Sequence, residues 1–154
     1  MSTPSLRVGI LGATGAVGQT FIRLLDDHPW FTIAEVAASE RSAGKPYHEA
    51  ANWLSGRPMP EAVAPLEVKP TDPDALNCDF VFSGLSSSVA EPIEKAFANA
   101  GIPVISNAKN HRMHPAVPLL IPEVNGDHAA LIDEQTWDTD GGFIVTNPNC
   151  STVG

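Results

Sequence analysis

The residue best suited to act as a nucleophile is Cys150, which lies in the run Thr146-Asn147-Pro148-Asn149-Cys150-Ser151-Thr152. Ser151 and Thr152 are residue types that begin helices, so we expect Cys150 at or just before a helix N-terminus. Such a position lowers the pKa of a thiol and stabilises the nucleophilic thiolate. The amides of Asn147 and Asn149 could orient an acyl oxygen beside it. On this segment alone, an inert cysteine remains the alternative.

A second chemical feature is a glycine turn, with Gly12, Gly15 and Gly18 spaced three apart. The turn follows an apolar run that ends at Leu11 and precedes a helical pattern. A helix N-terminus after a strand offers unpaired N–H groups and a partial positive charge to phosphates. Glycines let the backbone approach a pyrophosphate closely. The spacing therefore predicts dinucleotide binding, with a glycine-rich turn that has no ligand as the alternative.

The residues that follow the second predicted strand favour NADP over NAD as the cofactor. They include Ser39, Arg41, Ser42 and Lys45, a set of hydroxyls and cations that suits the 2′-phosphate of NADP. A carboxylate there would favour NAD, and Glu40 must point away for the NADP hypothesis to hold. The alternative is a solvated polar loop.

The elements that must position these residues alternate along the chain. We predict strands at 7–11, 31–38, 66–69, 79–84, 103–106 and 143–146, and helices around 19–25, 47–54, 88–100 and 128–132. The apolar face of the first long helix is expected to hold Val17, Phe21, Leu24 and Leu25. The face of the second is expected to hold Val89, Ile93, Ala96, Phe97 and Ala100. This order predicts an α/β fold, a Rossmann-like, doubly wound, mostly parallel sheet with helices on both faces.

Composition narrows the class of protein. A chain of 154 residues fits one domain, and 43% hydrophobic residues indicate a globular one. A formal net charge of −9 argues against nucleic acid and an anionic membrane surface as partners. No apolar run is long enough to span a bilayer, and no signal peptide is evident. Two cysteines do not make a disulfide scaffold, so we expect a cytoplasmic protein.

Six segments carry a family resemblance: Gly12-Ala-Thr-Gly-Ala-Val-Gly18, Ala38-Ser-Glu-Arg-Ser-Ala-Gly-Lys45, Phe82-Ser-Gly-Leu85, Ser106-Asn-Ala-Lys-Asn-His-Arg-Met113, Val117-Pro-Leu-Leu-Ile-Pro-Glu-Val-Asn125 and Asn147-Pro-Asn-Cys-Ser-Thr152. Over essentially its whole length, the sequence resembles the aspartate-β-semialdehyde dehydrogenase family, in its archaeal and fungal-like branch. The first segment is common to many families, whereas the last three together are specific. The resemblance implies reductive dephosphorylation of L-aspartyl-4-phosphate by NADPH, a step toward lysine, methionine and threonine.

The resemblance also implies roles for individual residues. Cys150 would displace phosphate and hold a thioester, and Arg112 would bind the substrate phosphate through its charged fork. Asn107 and Lys109 would line the phosphate and nicotinamide region, with Asn149 near the acyl carbon. The residues implied to contact NADP are Thr14, Gly15, Ala16, Val17, Ser39, Ser42, Ser83 and Gly84.

In this family a second domain follows the cysteine and supplies the acid/base histidine and most of the interface of a homo-oligomer. That domain is not in this sequence, so we expect residues 1–154 to be an NAD(P)-binding domain, weak in NADP binding and inactive alone. His111 and His114 lack further ligands in a metal pattern, so no metal is expected.

Three alternatives differ in specific residues. Acylglutamyl-phosphate reductase normally has Gly before its cysteine, where this chain has Asn149, and short-chain reductases need Lys four positions after Tyr47, where this chain has Ala51. Glyceraldehyde-3-phosphate dehydrogenase has a different glycine turn. A non-catalytic NADP sensor could share the turn but would need neither Arg112 nor the 147–152 segment.

Overall fold

Six parallel strands form one sheet in the computed structural model, which describes residues 5–153. The strands are β1 Leu6–Leu11, β2 Phe31–Ala38, β3 Val68–Pro70, β4 Phe80–Ser83, β5 Val104–Ser106 and β6 Ile144–Thr146. The α-helices are α1 Ala16–Leu25, α2 Tyr47–Ala50, α3 Ala90–Asn99, α4 Pro122–Asn125 and α5 Cys150–Val153. Two 3₁₀ segments span Pro73–Ala75 and Gly126–Glu134.

The strand order is β3-β2-β1-β4-β5-β6, and every neighbouring pair runs parallel. The chain thus builds outward from β1 to β3, returns to the other side of β1, and builds outward again from β4. At such a reversal, a crevice opens outside the carboxyl ends of the central strands. The predicted Rossmann-like α/β fold is confirmed, and the crevice lies where β1 meets β4.

The apolar residues of the central strands alternate between two cores. Val36 and Ala38 pack with α1 in one core, whereas Ala37 packs with Phe97 of α3 in the other. Successive side chains of a strand point to opposite faces, so both faces of the sheet are covered. The helices therefore fix the sheet from both sides and hold the strand ends in place.

The predicted apolar faces of the two long helices are partly wrong. In α1, Val17 and Leu24 are exposed, and the buried face includes Gln19. In α3, Ala96 is exposed and Glu94 is fully buried. Both buried polar side chains have hydrogen-bond partners on other elements, and those partners offset the cost of desolvation.

Other boundaries also differ from the prediction. The helix predicted at 47–54 ends at Ala50, since the backbone of Ala51 is extended, and the N–H of Leu54 donates to the side chain of Gln19. The predicted 128–132 helix is a longer 3₁₀ segment preceded by α4, which has a proline in its first turn. Four of the six strands end at the predicted residue, whereas β3 ends at Pro70 and β4 at Ser83, each one residue from its predicted end.

The outer edge of β6 is partly paired. Leu119 forms a parallel bridge with Thr146, and the backbone N–H of Leu120 donates to the Thr146 carbonyl at 3.0 Å. None of the helices in the described part of the chain has the length and apolar character that crossing a membrane requires.

Candidate functional site

The turn between β1 and α1 is packed so closely that two of its glycines cannot carry a side chain. Gly12 has a φ of 72°, and a Cβ there would lie 2.8 Å from the carbonyl oxygen of Gly84. A Cβ on Gly18 would overlap the carbonyl oxygen of Gly12. These glycines bring the N-terminus of α1 against the ends of β1 and β4, so the predicted spacing has a structural cause at both positions.

Gly15 is different, because the protein itself leaves room for a side chain there. A Cβ on Gly15 would meet only the Gly12 carbonyl oxygen, at an ordinary 3.4 Å. Within residues 5–153, no acceptor pairs with the backbone N–H groups of Thr14, Ala16 or Val17. The turn thus combines open space with free donors at a helix N-terminus, and this arrangement fits the pyrophosphate of a dinucleotide.

The carbonyl groups on the back of the turn are held by two buried side chains. The hydroxyl of Tyr47 donates to the Ala13 carbonyl at 2.6 Å, and Nε2 of Gln19 donates to the Thr14 carbonyl at 2.9 Å. Gln19 also joins the turn to the 52–54 loop, since its Oε1 accepts from the N–H of Leu54 at 2.7 Å. Burial raises the pKa of the Tyr47 hydroxyl, which therefore stays a donor. Sequence analysis missed both positioning residues; the polar Gln19 beside the glycines was the available signal.

The segment predicted to select NADP begins directly after β2. Ser39 and Arg41 are exposed and Ser42 is half-buried. The N–H of Ser42 donates to the Ser39 carbonyl at 2.8 Å, which closes a turn. The end of β2 adjoins the end of β1 in the sheet, so this turn lies beside the glycine turn. Glu40 is exposed as well.

The ends of β4 and β5 lie on the other side of β1. The N–H of Gly84 donates to the Leu11 carbonyl at 2.9 Å, so Gly84 directly adjoins the glycine turn. The hydroxyl of Ser83 points inward and donates to Oε1 of Glu94 at 2.6 Å. Ser83 is fully buried, and its carbonyl accepts the N–H of Asn107, so both its hydroxyl and its carbonyl are engaged within the protein.

Cys150 lies in a cleft of about 320 Å³ at the ends of β5 and β6. The cleft is lined by Asn107, Leu120, Ile121, Pro122, Asn147, Pro148 and Cys150. Asn107 is fixed by its N–H, which donates to the Ser83 carbonyl at 3.0 Å, and Asn147 by its N–H, which donates to the Ser106 carbonyl at 2.9 Å.

The thiol itself is exposed and begins α5, as the sequence predicted for a position at a helix start. Its Sγ lies 3.5 Å from Oδ1 of Asn149. That oxygen also accepts from the backbone N–H of Ser151 at 3.0 Å and from the Ser151 hydroxyl at 2.8 Å. The side-chain oxygen of Asn149 is thus engaged in holding the start of α5.

Arg112 extends the site from the loop after β5. Its Nη2 donates to the Asn107 carbonyl at 3.0 Å, and its buried Nε has no partner within residues 5–153. Lys109 is exposed on the same loop. Neither Arg112 nor Lys109 lines the Cys150 cleft, so Arg112 is connected to it through the bond to Asn107.

Other reactive groups lie apart from the cleft. Cys78 is half-buried, and burial together with the carboxylates of Glu35 and Asp79 raises the pKa of its thiol to about 11. None of the chain's five histidines lines the Cys150 cleft. Within residues 5–153, no three His, Cys, Asp or Glu side chains are grouped so that they could hold a metal ion.

Comparison with known proteins places the chain in a family. Residues 7–132 match the family model described as "Semialdehyde dehydrogenase, NAD binding domain". An aspartate-semialdehyde dehydrogenase of Archaeoglobus fulgidus is 50% identical over 150 residues, and the match covers 95% of this chain and 43% of that protein. One of Schizosaccharomyces pombe is 52% identical, with 96% and 42% covered. The chain thus spans less than half the length of these curated relatives.

Solved structures agree with the sequence comparison. The crystal structure of aspartate semialdehyde dehydrogenase with NADP from Candida albicans superimposes with a TM-score of 0.89 at 44% identity, covering 97% of this chain and 44% of that one. Aspartate semialdehyde dehydrogenase II from Vibrio cholerae, complexed with ASA, gives a TM-score of 0.72 at 27% identity, covering 97% and 44%. With its parallel sheet, its glycine turn and the matched residues, the chain belongs to the semialdehyde dehydrogenase family and contains that family's NAD-binding domain.

Proposed function

We propose that the chain is the NADP-binding and thiol-bearing part of an aspartate-semialdehyde dehydrogenase, which reductively dephosphorylates L-aspartyl-4-phosphate. One observation carries the proposal: the free N–H groups of the glycine turn and the Cys150 cleft lie at the same carboxyl edge of one parallel sheet. Gly84, which touches Gly12, and Asn107, which bonds the neighbouring Ser83, connect the two places. A cofactor and a nucleophile that must meet at one substrate need such an arrangement.

The glycine turn would hold the pyrophosphate, and the turn after β2 would hold the 2′-phosphate. The donors for the first are the N–H groups of residues 14, 16 and 17, aided by the N-terminal partial charge of α1. The donors for the second are the hydroxyls of Ser39 and Ser42 and the guanidinium of Arg41. The solved Candida albicans relative with NADP supports this choice of cofactor.

Cys150 would act as the covalent nucleophile. Its sulfur attacks the acyl carbon of the substrate, the bond from that carbon to the phosphate oxygen breaks, and phosphate leaves with the bonding electrons. The acyl group then remains on the sulfur as a thioester, in the cleft lined by Asn107 and Asn147. When bound, NADPH supplies the hydride that reduces such an acyl group.

Arg112 would bind the phosphate of the substrate. Its Nη2 bonds the carbonyl of Asn107, a residue that lines the cleft, and this bond holds the charged fork of the guanidinium near the place where an anion would bind. Lys109 on the same loop would add positive charge, and Asn149 would lie near the acyl carbon. A protein that only senses NADP would need neither Arg112 nor the thiol.

A titration of the chain with NADPH and NADH, followed by nicotinamide fluorescence, tests the proposal. We expect NADPH to bind more tightly than NADH, and Arg41→Ala to weaken NADPH binding about tenfold while leaving NADH unchanged, because a charge-assisted hydrogen bond contributes about 1.5 kcal/mol or more. Gly15→Ser should weaken both cofactors, since its side chain enters the open space, yet preserve stability, because serine is a preferred N-cap. Equal affinity for the two cofactors, or tight binding by Gly15→Ser, would contradict the assignment.

A further inference from the structure

A buried carboxylate lies beneath the carboxyl ends of β4 and β5. Glu94, on α3, is fully buried, and its Oε1 accepts hydrogen bonds from the hydroxyls of Ser83 and Ser106, both at 2.6 Å. Distances this short are typical of hydrogen bonds to a charged oxygen. Burial raises the pKa of Glu94, and the two hydroxyls oppose that shift. Burying an ionisable group costs free energy of folding. A carboxylate kept directly under the site therefore indicates a function that offsets this cost.

The two serines bonded to Glu94 also hold the backbone of the Cys150 cleft. The Ser83 carbonyl accepts the N–H of Asn107 at 3.0 Å, and the Ser106 carbonyl accepts the N–H of Asn147 at 2.9 Å. In addition, the Ser106 hydroxyl accepts the N–H of Ala108 at 3.0 Å. Oε1 of Glu94 is therefore connected to both asparagines of the cleft through a single serine each, Ser83 for Asn107 and Ser106 for Asn147.

The other oxygen of Glu94 reaches the same loop from a second direction. Oε2 lies 3.4 Å from Nε2 of His111, both atoms are buried, and neither has a hydrogen-bond partner within residues 5–153. His111 directly precedes Arg112, whose Nη2 bonds the Asn107 carbonyl. The nearest exposed charges on α3, Glu91 and Lys95, pair with each other at 2.7 Å.

We infer that Glu94 is a positioning residue: by accepting the hydroxyls of Ser83 and Ser106 it fixes Asn107 and Asn147 at the Cys150 cleft, and its Oε2 lies against Nε2 of His111, the residue before Arg112. The inference deepens the proposed function and rests on it for the identity of the cleft. Glu94 acts through these neighbours and does not itself contact the cleft.

Amide hydrogen exchange followed by NMR on the 154-residue chain tests this role. Glu94→Met removes both acceptor oxygens at similar volume, and Glu94→Gln keeps one of them. We expect Glu94→Met to speed amide exchange at Asn107, Ala108 and Asn147 at least tenfold more than in β1. We also expect it to raise the Kd for NADPH about fivefold, because the loosened carboxyl end of β4 adjoins the glycine turn. Glu94→Gln should restore most of both values. Glu91→Met, one turn earlier on the same helix but exposed, is the matched control and should change neither.

Other outcomes separate the hypotheses. Equal acceleration in β1 and at the cleft would show a role in global stability alone and overturn the inference, as would unchanged exchange at the cleft. If Glu94→Met does not fold, Ser83→Ala removes one bond to the carboxylate. Faster exchange is then expected at Ala108, which follows β5 and donates to the Ser106 hydroxyl on the other side of the carboxylate. Unchanged exchange there would also overturn the inference. Failure of the unaltered chain to bind NADPH would count against the proposed function, while the exchange comparison would still test Glu94.

Discussion

The glycine turn and the Cys150 segment lie at one edge of the same sheet, but the chain holds them in different ways. The turn is fixed by residues distant in sequence, since Tyr47 bonds Ala13 across 34 positions and the 52–54 loop bonds Gln19. The thiol is exposed, and its hydrogen bond goes to the adjacent Asn149. Contacts distant in sequence stabilise a backbone shape only when the whole fold forms. The difference therefore predicts that the turn is coupled to global stability and that residues 149–152 around the thiol are not, although Asn147 just before them is held by the Ser106 carbonyl.

Gly18→Ala is expected to have the largest effect among the variants that test this difference between the turn and the thiol segment. The added Cβ would overlap the Gly12 carbonyl oxygen, so backbone must move at the closest contact of the turn. We expect a loss of about 3 kcal/mol in the free energy of unfolding, a fall in Tm of roughly 10 °C, and no measurable NADPH binding. Thermal unfolding followed by circular dichroism measures the first two.

Gly56→Ala is the control for that substitution. A Cβ on Gly56 meets nothing within 4 Å in the described structure, so its Tm should stay near that of the unaltered chain. A Tm for Gly18→Ala that matches the Gly56→Ala value would show that the turn is not packed as described here.

Two substitutions that each remove polar side-chain atoms compare the two regions directly, with smaller expected losses of stability. Tyr47→Phe leaves the Ala13 carbonyl without its buried donor, so we expect a loss of about 1–2 kcal/mol in the free energy of unfolding and weaker NADPH binding. Asn149→Ala removes bonds to residues at most two positions away, all exposed, so the loss should stay below about 0.5 kcal/mol. Urea unfolding measures the free energy of unfolding of both variants. Equal losses in that free energy would show that the turn and the thiol segment are coupled to global stability to the same extent.

The smallest perturbation is chemical labelling of the two thiols with iodoacetamide. The thiolate reacts, and the pKa of Cys78 is raised to about 11, so at pH 8 only about one thousandth of Cys78 is reactive. We expect exposed Cys150 to be labelled first, with Cys78 following only as the pH approaches 11. Mass spectrometry identifies the site, Cys78→Ala should leave the fast phase intact, and Cys150→Ser should abolish it. Faster labelling of Cys78 at pH 8 would contradict the assigned burial.

The fold class was predictable from sequence because alternating strands and helices leave few ways to cover a parallel sheet. Strand β2 was predicted with its observed bounds, and the start of α5 at Cys150 was predicted from Ser151 and Thr152, residue types that begin helices. The buried faces of α1 and α3 were not predicted correctly, because apolar periodicity places the polar residues Gln19 and Glu94 on the solvent side. Both are buried because polar groups from other elements meet them. No local pattern contains that information.

The amino-acid sequence by itself determined the glycine turn, the helix start at Cys150 and the alternation of strands and helices along the chain, because each depends on neighbouring residues and on simple periodicity. Only the tertiary structure decided that Tyr47 and Gln19 hold the back of the turn, and that Glu94 joins Ser83 and Ser106 beneath the cleft. The physical reason is that a buried polar side chain is stable only beside its partners, and these partners become neighbours only when the sheet has formed.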